Sequence, residues 1–215
     1  MTHWMLHQGP QARSTPLPYA TALQMPAAPL IWVNGYPGSG KFTVCEVIRQ
    51  LVPDGAIILD SHKLIDPVEV KFPRLHPDYQ KERHIYRQAI FKQYVYDETA
   101  LSKLVVFTDF QSNNDLGRDV ATEYRIAALE SGRPFLPVYL ICDVNTNLKR
   151  VNTIERIDSG TKKLTNVELV RELREKCELF RFDDCPGLTL DSTGASPLEI
   201  ASKILDFVDN SRRSF

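Results

Sequence analysis

Leu30-Ile31-Trp32-Val33-Asn34-Gly35-Tyr36-Pro37-Gly38-Ser39-Gly40-Lys41-Phe42-Thr43 is the stretch that decides how this chain reads. Four apolar residues and Asn34, ended by glycine, predict a buried strand over Leu30–Asn34. A helix is expected from Lys41 to about Leu51. Between the two, Gly35 to Lys41 spells G-x-x-x-x-G-K, and a strand before with a helix after is the setting in which such a loop cradles phosphate. Glycines let the backbone curl so that several N–H groups point at phosphate oxygens. The helix N-terminus adds its positive end, and a lysine ammonium reaches the β- and γ-phosphates as a point charge. Gly35, Tyr36, Pro37, Gly38, Ser39, Gly40, Lys41, Phe42 and Thr43 are therefore the expected nucleotide-binding residues, with Lys41 also catalytic. One position departs from the pattern. Ser or Thr should follow the lysine and ligate Mg²⁺, and Phe42 stands there. Thr43 is rotated about 100° around the helix, a poor substitute ligand better placed for the α-phosphate. Magnesium is then expected to be held by phosphates, waters and carboxylates.

Outward from this loop, short apolar runs alternate with amphipathic segments, without an internal repeat. Further strands are predicted at Ala56–Asp60, Leu104–Thr108, Phe135–Cys142 and Leu188–Asp191. A long helix should have Pro77 in its first turn and carry the stripe Tyr86, Ile90, Tyr94. A second helix is predicted over Asp115–Ser131, stopped by Gly132 and Pro134, and a third from about Asn145 to Arg156. Thr165 and Glu168 read as a capping box opening a helix to about Phe180. Ser196 and Glu199, with Pro197, open the last helix, ending near Val208. Five strands alternating with helices predict an α/β fold, a parallel sheet covered on both faces in three layers. Residues 1 to about 28, with Pro10, Pro16, Pro18 and Pro26, read as a disordered leader. The remaining residues, 29–215, read as one nucleotide-binding domain.

The length of 215 residues suits one domain. With 26 Lys plus Arg against 27 Asp plus Glu, the formal net charge is −1, which argues against a general nucleic-acid binder. No apolar stretch approaches the roughly 18 residues of a membrane span, so no membrane partner is expected. Cys45, Cys142, Cys177 and Cys185 form no C-x-x-C pair and read as reduced thiols. No acidic residue precedes Glu46, as in mitochondrial presequences. Arg13 is the one Lys or Arg before Lys41, so the expected compartment is the cytoplasm.

In parallel α/β sheets, ligands bind outside the carboxyl ends of the strands. After the second strand comes Asp60-Ser61-His62, and after the third Asp109-Phe110-Gln111. Asp60 is placed to accept a proton from a substrate hydroxyl. Asp109 is placed to position magnesium, and no Glu follows it to activate water as in motor ATPases. Either aspartate can equally cap a helix or close an Asx-turn. Arg150 and Arg156 lead into the polar stretch Asp158–Leu164, where arginines can stack on adenine or clamp phosphoryl oxygens beneath a small lid. A solvated helix face is the other reading of the pair. The segment Lys71–Lys92 should overlie the acceptor and carries Arg74, Lys81, Arg83 and Arg87. This is the pattern of an anionic acceptor, or again of a solvated face.

Over about residues 29–210 the chain resembles small P-loop kinases of the nucleoside-monophosphate, gluconate, shikimate and chloramphenicol-phosphotransferase kind. The specific parts are the phosphate loop, Leu59-Asp60-Ser61, the Arg150/Arg156 region and Leu190 to Pro197. Chloramphenicol phosphotransferases have a similar V-D-S, which implies the role of base for Asp60. The stretches G-Y-P-G-S-G-K-F-T, L-D-S-H-K-L-I-D-P-V and T-K-K-L-T also resemble fungal and bacterial ATP-binding proteins whose substrates are not settled. The resemblance implies strand order 2-3-1-4-5, ATP and Mg²⁺ as ligands, and a small-molecule acceptor. A kinase is the leading expectation. An ATPase and a nucleotide-binding regulatory module are the alternatives, and the absence of N-K-x-D disfavours a GTPase.

Overall fold

A computed structural model of the chain describes residues 27–153 and 164–213. Strand β1 (Leu30–Asn34) is wholly buried, because side chains alternate between the faces of a sheet and both faces here are covered. Ile31 and Val33 pack with Val44, Cys45 and Ile48 of α1 (Lys41–Leu51) and with Ile200 and Ile204 of α7 (Pro197–Arg213). Leu30 and Trp32 face the other layer, where α2 (Ser61–Glu69), α3 (Tyr79–Tyr94) and α4 (Asp115–Glu130) place Leu64, Phe91 and Tyr124. A near-continuous apolar run therefore feeds two cores.

The other strands are β2 (Ile57–Leu59), β3 (Val105–Asp109), β4 (Phe135–Ile141) and β5 (Leu188–Asp191). All neighbours pair in parallel, in the order β2-β3-β1-β4-β5, as expected. The connection leaving β1 runs to one side of the sheet and the one reaching β4 runs to the other, so the crevice opens above β1. There Asn34 is in register with Asp109.

Several local expectations shift. Ser61–Glu69 forms a helix of its own, capped by Asp60 and containing Pro67; it was not expected. The long helix begins at Tyr79, after Pro77, and its buried face is Tyr79, Arg87 and Phe91, with Tyr86, Ile90 and Tyr94 half-buried beside it. Helix α5 (Val144–Val151) carries Arg150 and is capped at Asn152; the predicted end at Arg156 lies outside the described residues. Helix α6 (Val167–Lys176) is capped by Asn166, one residue past the predicted Thr165, because the Asn166 side chain accepts from the Leu169 N–H. It stops short of Phe180 because the next residues pair with the end of β3: Phe180 N donates to Gln111 O, and Asn113 N to Glu178 O. The Ser196–Glu199 capping box forms as predicted, and its helix runs past Val208 to Arg213.

Arg133, just after α4, is buried. Its guanidinium donates to the carbonyls of Ala28, Val95, Ala100, Leu101 and Lys103, tying the start of the fold to the end of α3. All four cysteines are free thiols. Among the described residues no helix is long and apolar enough to cross a membrane.

Candidate phosphate-binding cleft

The loop after β1 owes its path to two glycines with positive φ, Gly38 (+84°) and Gly40 (+91°), a region that other residues enter only with strain. Gly38 has a second reason: a Cβ there would lie 2.5 Å from Val151 Cγ2 and 2.7 Å from Asn147 Nδ2. Gly40 caps α1 without a side-chain bond, and the first turn of α1 has no acidic residue. The N–H groups of that turn therefore keep their pull on an anion. Lys41 folds back over the loop and donates to Gly35 O (2.5 Å) and Tyr36 O (2.9 Å).

The loop is clamped from both sides. Asn147 Nδ2 donates to Pro37 O at 2.7 Å. Arg174 of α6 lies 4.6 Å from the Tyr36 ring centroid and donates to Asn147 Oδ1 and Cys142 O. Tyr36 Oη donates to Cys177 O at 2.6 Å. Burial raises the Tyr36 phenol pKa, with Arg174 opposing, so the donor stays protonated. The Ser192 hydroxyl lies 3.0 Å from Ser39 O and 3.1 Å from Ile141 O. It also accepts from Arg150 Nη1 at 3.1 Å, while Arg150 Nη2 donates to Ser192 O at 2.8 Å.

Both strand-end aspartates are buried and both make the local bonds that their sequence setting allows. Asp60 Oδ1 accepts from the His62 N–H at 2.8 Å and caps α2. Asp109 Oδ1 accepts from the Phe110 N–H (2.8 Å) and Oδ2 from Gln111 Nε2 (2.9 Å). A carboxylate has about four acceptor sites, so capping leaves room for a ligand. Asn34 fastens this end of the sheet, donating to Gln111 O and Phe180 O and accepting from Gln111 N. Burial pushes the Cys45 thiol pKa up; the Asp60 carboxylate adds to the rise and the Lys41 ammonium opposes it.

One cleft of about 940 Å³ gathers these groups: the loop from Pro37 to Thr43, Asp60, Asp109 and Arg150 all line it. Gly35 and Tyr36 stand behind it and supply the carbonyls that hold Lys41. Arg156 and the expected lid through Lys163 lie outside the described residues. Of the four cations expected over an acceptor, Arg74, Arg83 and Arg87 line the cleft and Lys81 does not. Sequence reasoning missed Asn147 and Arg174. The loop Asp191-Ser192-Thr193-Gly194 after the fifth strand reads in the sequence as facing a nucleotide base or as a helix entry, and its Ser192 holds the phosphate loop and Arg150. Nothing in the sequence marks Asn147 or Arg174, because their partners, Pro37 O, Cys142 O, the Tyr36 ring and each other, are brought to them only by the fold.

No protein-family model matches the chain, and no curated protein matches its sequence. Solved structures do. The APS kinase of Mycobacterium tuberculosis, whose structure holds AMPPNP and APS, aligns with TM-score 0.56 at 16% identity, over 86% of this chain and 99% of that one. A gluconokinase from Sinorhizobium meliloti aligns with TM-score 0.55 at 17% identity, over 88% and 95%. A putative kinase from Chloroflexus aurantiacus gives 0.58 at 15%, over 84% and 98%. The chain has the P-loop kinase fold. At these identities the likeness concerns the fold alone.

Proposed function

We propose that this protein is an ATP-dependent phosphotransferase that moves the γ-phosphoryl group to a hydroxyl of a small molecule. The observation that carries the reading is that one cleft is lined by the phosphate loop, by the buried carboxylate of Asp60 at the end of the edge strand β2, and by arginines of a separate helix. A site for nucleotide alone has no use for the last two. In this reading the loop amides and Lys41 hold the β- and γ-phosphates, and Thr43 faces the α-phosphate. Asp60 accepts the acceptor's hydroxyl proton as the acceptor oxygen bonds to the γ-phosphorus. The bond from that phosphorus to the β,γ-bridging oxygen breaks, and ADP leaves with the electron pair. Arg150, beside Gly40 and held by loop carbonyls, swings to the transferring oxygens, and Arg156 is assigned to the same nucleotide.

The residues present fit magnesium in one specific manner. Among the described residues no group of three His, Cys, Asp or Glu could cage a metal, and Phe42 offers no hydroxyl. Mg²⁺ retains waters and binds through one or two carboxylates plus substrate phosphates, which matches Asp109, whose oxygens already accept two hydrogen bonds and suit contact through water. When bound, the ion neutralises charge on the β- and γ-oxygens.

Hydrolysis of ATP as the sole activity is the second reading; the missing acid after Asp109 speaks against it. Incubating the protein with ATP and a panel of hydroxyl metabolites, with product masses recorded, tests the proposal. The expected outcome is ADP formed together with one acceptor heavier by a phosphoryl group. ADP and inorganic phosphate without any such product would favour the ATPase.

A further inference from the structure

Beyond the phosphate loop, α2, α3 and the turn between them wall the cleft with Ile65, Arg74, Tyr79, Gln80, Arg83 and Arg87. The three guanidiniums are not equivalent. Arg87 is neutralised by Glu123 at 2.9 and 2.6 Å, and Arg74 by Glu69 at 2.8 Å. His62, on the same wall, lies 3.2 Å from Asp66. Arg83 makes no ion pair among the described residues. Its Nη1 donates to the Tyr79 hydroxyl at 3.1 Å and its guanidinium lies 5.7 Å from the Tyr79 ring centroid, which fixes its direction. Its Nε is buried without a partner.

A buried donor left unpaired calls for a missing acceptor. With Nη1 on the Tyr79 hydroxyl, the Nε–Nη2 edge is left, and such a two-donor edge suits a planar or tetrahedral oxyanion better than a neutral hydroxyl does. Among the described residues the carboxylates lining the cleft are Asp60 and Asp109, both already bonded locally. We infer that Arg83 binds an oxyanion of the acceptor, which makes the acceptor a hydroxyl compound that also carries a carboxylate, sulfate or phosphate. The inference rests on the phosphotransferase reading and adds the substrate's charge class. Arg83 also offsets the repulsion that such an acceptor meets beside the nucleotide phosphates.

Inorganic sulfate, titrated at constant ionic strength into protein saturated with Mg²⁺ and AMPPNP, is the probe, since the nucleotide blocks the phosphate loop. The wild-type protein should bind sulfate at one site, and Arg83→Gln should weaken it at least tenfold with AMPPNP affinity unchanged. Arg83→Lys, which keeps the charge and loses the fork, should fall between. Sulfate affinity equal in wild type and Arg83→Gln, or no sulfate binding to the AMPPNP-loaded wild type, overturns the oxyanion pocket alone. Failure of AMPPNP itself to bind would remove the phosphotransferase reading, and this inference with it.

Discussion

Lys41 and Phe42 are neighbours with opposite relations to the phosphate loop. Lys41 spans its own loop, bonded to Gly35 O and Tyr36 O, and a bound triphosphate offers it stronger, charged acceptors. Lys41→Ala removes a charge-assisted contact worth about 1.5–3 kcal/mol, so ATP should bind roughly ten- to hundredfold more weakly by calorimetric titration. Equal affinities would mean that the loop does not hold phosphate. Phe42 lines the cleft with more than a third of its surface exposed, at the place where a hydroxyl would ligate the metal. Phe42→Ser should lower the magnesium concentration needed for half-maximal ATP binding without shifting the unfolding transition. An unchanged requirement would show that other groups already complete the metal's coordination.

Helices α3 and α4 are joined by a charged clasp. Arg87, nearly inaccessible, is held by Glu123, which also accepts from Gln88 and lies 3.1 Å from His84. Burial alone would raise the Glu123 pKa, but the hydrogen bonds and charge of Arg87, with those of His84, outweigh it and hold the carboxyl below its ordinary 4.5. A carboxyl lowered in the folded state stabilises the fold fully above its ordinary value, and this is lost as pH falls through the folded value. Glu123→Gln should therefore cost about 1–3 kcal/mol near pH 7, and urea titrations should show the gap closing in acid below about pH 4.5. A gap that persists undiminished at pH 3 would contradict the clasp. At this scale the sequence shows its limits. Leu30–Lys41 and the Ser196–Glu199 box were legible because period, glycine spacing and capping chemistry agree there. Helix α2 was missed because the aspartate that signals its start reads equally as a catalytic acid, and Pro67 reads as a break. The overrun of α6 has a tertiary cause: Leu179 and Phe180 continue an apolar pattern, and only their pairing with residues 111–113 ends the helix. Arg83 and Arg87 look alike in sequence, one turn apart, and only Glu123, from another helix, sets them apart.

The molecule as a whole braces the strand ends that wall the cleft. β1 is paired on both sides, Asn34 locks its end to β3, and α6 braces the loop through Arg174 and Tyr36. Asp60 gains its position from this frame: it ends an edge strand, caps α2 and is buried against the cleft. In the proposed reaction its carboxylate would be set before the acceptor binds, the condition under which a general base contributes about 10²–10⁴ in rate. Asp60→Asn keeps the shape and the helix cap but cannot take a proton. The most direct test supplies wild type and Asp60→Asn with ATP isotopically labelled at the γ-phosphoryl group and a mixture of hydroxyl metabolites, and compares label transfer with ATP affinity. The account predicts a labelled product from wild type and at least a hundredfold less from Asp60→Asn, with ATP bound equally by both. Equal transfer by the two proteins would contradict it.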